Sequence, residues 1–111
     1  MAGTTDSSGA MAVVQQTAQN LSTSQVTVGT TATLILPARL PPPQGTTGIR
    51  YAITLVNLGT NPLYFGPTSG VTTSNGVLLA GAIGASITIP YAGALYGIGA
   101  VSQAISVMET F

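Results

Sequence analysis

Hydrophobic spacing divides this chain in two. Before residue 25 the only regular pattern is Val14, Ala18 and Leu21 at i, i+4 and i+7, one weak face of a short helix. The ten residues MAGTTDSSGA in front of it are small and polar, a disorder-like composition. Residues 1–24 therefore read as a flexible N-terminal arm, whose apolar residues Met11, Val13, Val14 and Leu21 are candidate anchors for a partner.

From Gln25 the period becomes two. Val26 and Val28 share one side, and Thr31, Thr33 and Ile35 alternate with Ala32, Leu34 and Leu36 until Pro37 ends the run. ARLPPPQGTTG (38–48) is a loop whose three prolines favour polyproline II. IRYAITLVN (49–57) is the strongest strand: Ile49, Tyr51, Ile53, Leu55 and Asn57 alternate with Arg50, Ala52, Thr54 and Val56. Shorter runs follow at 63–66, 77–80, 85–90 and 94–101, and the last strand (104–111) sets Ile105, Val107, Glu109 and Phe111 on one face. Asn75-Gly76 is the best tight-turn signal. About eight strands at intervals of roughly 8–12 residues, with Gly, Pro and Asn between them, predict an all-β domain over 25–111. The expected architecture is a β-sandwich, jelly-roll-like, although spacing alone leaves the strand order open.

Residues 77–101 change the picture briefly, because they carry no charge and are long enough to span a membrane. Pro90, the scattered glycines and the alternation of Ser86 and Thr88 with Ala85, Ile87 and Ile89 favour buried strands instead. There is no flanking Lys/Arg cluster to orient a span.

Composition narrows the chemistry. The 111 residues include two basic side chains, Arg39 and Arg50, and two acidic ones, Asp6 and Glu109; there is no His, Cys or Trp. Thiol chemistry, zinc-thiolate sites and histidine bases are therefore excluded. Two arginines neutralise too few phosphates for nucleic-acid binding. Nothing brings Asp6 and Glu109 together as an acid–base pair, and no cofactor or metal site is expected. Arg39 and Arg50 are candidate clamps for a partner's carboxylate, with a solvated arginine as the simpler reading. Tyr51, Tyr64, Tyr91 and Tyr96 are candidates for a carbohydrate face, with packing as the simpler role. Net charge of zero on so few charges favours self-association.

The stretches VTVGTTATLIL, IRYAITLVNLGTNPLYFGPTSGVTTSNGVLLAGAIGASITI and ALYGIGA resemble small virion proteins of tailed bacteriophages. The most specific parts are Val56-Asn57, the turn Gly59–Pro62, the strand Leu63–Gly66 and VTTSNGVLLA (71–80). Similar proteins carry L-x-x-G-E-S where this chain has Leu79–Ser86 with a longer turn and no Glu. The resemblance covers residues 25–111 and implies a β-sandwich capsid decoration (cement) protein. Such a protein is often trimeric, sits on the outside of an icosahedral head and bridges subunits of the major capsid protein. It also leaves a neck or tail role open, as a fibre anchor or glycan-binding adhesion module. Neither a nucleic-acid nor a membrane partner is implied.

Overall fold

The described strands form one long hairpin rolled up on itself. In the computed structural model, residues 20–40 and 49–111 are described, and the statements below concern these residues. Eight strands follow in order: β1 (Leu21–Val28), β2 (Thr33–Leu36), β3 (Ala52–Asn57), β4 (Leu63–Gly66), β5 (Val77–Leu79), β6 (Ser86–Ile89), β7 (Leu95–Gly99) and β8 (Gln103–Thr110). The antiparallel pairs are nested: β1 with β8, β2 with β7, β3 with β6 and β4 with β5. Rolling sends alternate pairs to opposite layers, and β3–β8 and β4–β7 contacts join them. The results are a sheet ordered β1-β8-β3-β6 and a sheet ordered β2-β7-β4-β5. This is a β-sandwich with jelly-roll strand order, which resolves the topology that spacing left open.

Alternation carries through into the core. Ile53 and Leu55 of β3 and Ile105 and Val107 of β8 point inward from the first sheet; Leu63, Phe65, Leu79 and Leu95 meet them from the second. Packing these inner faces together supplies the hydrophobic stabilisation, about 1.5–3 kcal/mol for each large apolar side chain removed from water.

Three expectations shift. The sandwich begins at Leu21, so residues 21–24 belong to β1, paired with Ser106-preceded Val107 through Thr110 of β8, and not to the arm. Strand β3 begins at Ala52 rather than Ile49, because the Arg50 amide bonds to the Arg39 carbonyl instead of to a neighbouring strand. In β2 a bulge between Leu34 and Leu36 interrupts strict alternation, so Ile35 and Leu36 are both buried.

The Asn75-Gly76 signal marks a longer connection than a two-residue hairpin. The chain turns at Thr72–Asn75, where the Asn75 side chain accepts from the Thr72 amide (2.7 Å) and donates to the Gly70 carbonyl (3.2 Å). Gly76 is needed for close approach: a Cβ there would lie 2.7 Å from Cβ of Tyr64.

Candidate functional site

The described charged side chains, Arg39, Arg50 and Glu109, are gathered at the base of the sandwich, where β1 and β3 begin and β8 ends. Glu109 lies on the inward face of β8, after Ile105 and Val107, and is 6% exposed. Its Oε1 accepts from Arg39 Nε at 2.8 Å and from Arg50 Nε at 3.0 Å, and Arg39 Nη2 reaches Oε2 at 3.4 Å. Arg50 is more deeply buried still, at 2% exposure, and donates to the Gly93 carbonyl (2.9 Å) and to the Pro37 carbonyl. The Arg39 guanidinium also lies 3.8 Å from the centroid of the Phe111 ring. Burial pushes the Glu109 carboxyl up, but hydrogen bonds from Arg39 and Arg50, reinforced by their charges, outweigh it and leave it below the ordinary glutamate value.

This corrects the reading of the two arginines. They do clamp a carboxylate, but it is the chain's own, and Arg50 is not on a solvated face. The sequence reading weighed Glu109 only against Asp6 and missed it as the arginines' partner. The signal was available: a lone acid on an apolar strand face requires a cation, and the chain holds two. Functionally the cluster is a staple. It ties the 37–39 segment, the entry to β3, the Gly93 turn and the end of β8 together.

A second buried polar group closes the opposite end. Asn57 is fully buried; its Nδ2 donates to the carbonyls of Asn61 (2.9 Å) and Ala80 (3.0 Å), and its Oδ1 accepts from the Gly59 amide (2.9 Å) and Gln103 Nε2 (3.0 Å). Gln103 also bonds the amide and carbonyl of Asn61. A Cβ at residue 59 would fall 2.2 Å from Gln103 Oε1, so a side chain there would push the Gln103 amide out of the clamp. The Asn57–Pro62 motif is therefore a satisfied turn clamp in this chain, not a ligand site.

The outer faces of the two sheets differ. On the first sheet, one row is Thr23–Met108–Thr54–Thr88 and the next Gln25–Ser106–Val56–Ser86. Thr54 and Thr88 share a hydroxyl hydrogen bond of 3.0 Å. On the second sheet the rows are Leu34–Tyr96–Gly66 and Ile98–Tyr64–Leu78. Leu34 is 48% exposed and Leu78 56%, while Tyr64, Tyr96 and Ile98 are half-buried. This face is apolar, aromatic and uncharged. Leu34 and Leu78, on its two edge strands, are its exposed large apolar side chains, and the half-buried Tyr64, Tyr96 and Ile98 lie between them.

No family model, curated protein or solved structure matches this chain.

The remaining candidates separate. Met11, Val13 and Val14 lie outside the described residues, as does Asp6. Leu21, grouped with them as an anchor, is the first residue of β1, with 62% of its surface exposed. Of the tyrosines, Tyr91 packs against the core, Tyr51 lies just before β3, and only Tyr64 and Tyr96 share an outer face. Among the described residues no cluster of three acidic, His or Cys side chains exists that would hold a metal. No helix among them is long and apolar enough to cross a membrane; residues 77–101 supply β5, β6 and β7.

Proposed function

We propose that this chain is a non-enzymatic structural protein of a tailed-bacteriophage particle, one that decorates the outside of the icosahedral head and bridges major capsid protein subunits. The observation that carries the reading is the uncharged face formed by Leu34, Tyr64, Leu78, Tyr96 and Ile98. The acidic and basic side chains described are spent on one another inside the base, so attachment must come from contact area and shape rather than charge.

Magnitude decides how such a face works. Three inter-strand gaps by four residues make a patch of roughly 14 × 13 Å. That is well below the ≈ 800 Å² per partner of a standard stable interface. A single copy held by this face alone binds weakly. Copies repeated by shell symmetry, each adding the apolar arm residues Met11, Val13 and Val14 to a neighbouring subunit, hold by avidity. The sequence resemblance over 25–111 supports the same role. Jelly rolls also occur among viral capsid domains, which is an analogy of architecture only.

The test is copy number on purified particles, by quantitative gel densitometry against the major shell protein. A simple ratio to the shell subunit is expected. A trace ratio, on the order of a dozen copies per particle by ring symmetry, would move the protein to the neck or tail. The placing of Tyr64 and Tyr96 on one face favours glycan adhesion as that second role.

A further inference from the structure

A sandwich has four sheet edges, and three of these are blunted. Strand β2 has four residues, a bulge and Pro37 immediately after it; β5 has three residues; β6 has four and is followed by Pro90. Short, bulged or proline-flanked edges resist pairing with other chains. Strand β1 is different. It has eight residues, pairs with β8 in unbroken register and contains no charge, Pro or Gly. Among the described residues no strand lies on its other side.

We infer that β1 is the edge through which two copies of this chain pair, antiparallel, across a two-fold axis at Ser24. The hydrogen-bond phase shows which groups are free. Asn20 and Phe111 exchange both backbone bonds (2.7 and 3.0 Å), so Ser22, Ser24, Val26 and Val28 point theirs at β8. Leu21, Thr23, Gln25 and Thr27 therefore present their amides and carbonyls outward. A two-fold at Ser24 sets Leu21 opposite Thr27 and Thr23 opposite Gln25, each way round. All the free groups are then used, in about eight hydrogen bonds.

Side chains keep to their faces in this register. Leu21, exposed in the single chain, lies beside the partner's Thr27 on the outer face, and Ser22 lies beside the partner's Val26 on the inner one. No like charges oppose each other, because the strand has none. Asn20, just before β1, is itself bonded to Phe111, and residues 10–19 contain no Gly, Pro, Asn or Asp.

Pairing is a property of the isolated chain and stands or falls independently of any role on a particle. The test is the mass of the full chain by light scattering on a sizing column, with two variants. A mass twice the 11.0 kDa of the chain is expected. Ser24→Cys, the one thiol in that variant, should oxidise to a covalent dimer because the two Ser24 positions face each other at the axis, whereas Thr27→Cys should not. Gln25→Pro removes an outward amide while leaving the β8 ladder intact, so it should give a folded monomer by circular dichroism. A mass of one chain or of three overturns the proposal. So does a dimer that survives Gln25→Pro, or one in which Ser24→Cys fails to link. Concentration-independent protection of the Thr23 and Gln25 amides in a monomer overturns it too, and assigns the edge to residues 1–19.

Discussion

Arg50 Nε meets Oε1 of Glu109 at 3.0 Å, across 59 positions of sequence, in a site from which water is almost excluded. The same oxygen receives Arg39 at 2.8 Å. A buried ion pair of this kind contributes little net energy over an apolar replacement, but its half-removal is costly.

Glu109→Ala should therefore destabilise the fold by about 3–5 kcal/mol, because Arg50 is left buried without a counter-charge. The double variant Arg50→Met/Glu109→Leu should lose less than either single change. Urea unfolding of Arg50→Met, Glu109→Leu and the double variant measures the coupling; additive losses would mean that the pair is not a unit.

The pH dependence follows from the same carboxyl. The folded pKa of Glu109 lies below its unfolded value. Its stabilising contribution is thus fully present above the unfolded value of about 4.3 and is lost as pH falls through the folded value. With no His in the chain, stability should be nearly flat between about pH 5 and 7 and fall below about pH 4. Glu109→Gln should flatten the acid limb. Thermal melts at pH 7, 5 and 3 decide it.

At the opposite end, Asn57→Ala should orphan the Gly59 amide and the Ala80 carbonyl, costing about 1–3 kcal/mol for each buried group that water does not reach. Asn57→Asp keeps the acceptor and loses the two donations to Asn61 and Ala80. It should also be destabilised, since a buried charge is added without a cation. Denaturant midpoints of both variants check this.

On the second sheet, Leu78→Ser and Tyr64→Ser should change stability by no more than about 0.5–1 kcal/mol, since both side chains stand on the outer face. They should still reduce occupancy on particles in a competition with the unaltered chain. Equal occupancy would remove this face from the attachment surface.

Much of this architecture was legible in the order of residues. Ile53 and Leu55, or Ile105 and Val107, fall inward because successive side chains on a strand point to opposite faces, and Pro37 and Pro90 end strands because they lack an amide to donate. These effects act within a few residues, so local sequence was enough for the all-β class, the strand positions and most of the inner faces. The jelly-roll order, the β2 bulge, the Glu109 staple and the Asn57 clamp depend on residues far apart in the chain. Arg50 shows why: its place in the alternation put it on an outer face, yet a backbone bond to Arg39 and a carboxylate on β8 drew it inside. The apolar outer face was likewise invisible, since Leu34, Tyr64, Leu78 and Tyr96 become neighbours only through the pairing of four strands. These features arise only on folding, because pairing and register are fixed by the joint burial of distant segments, not by any one segment's own preferences.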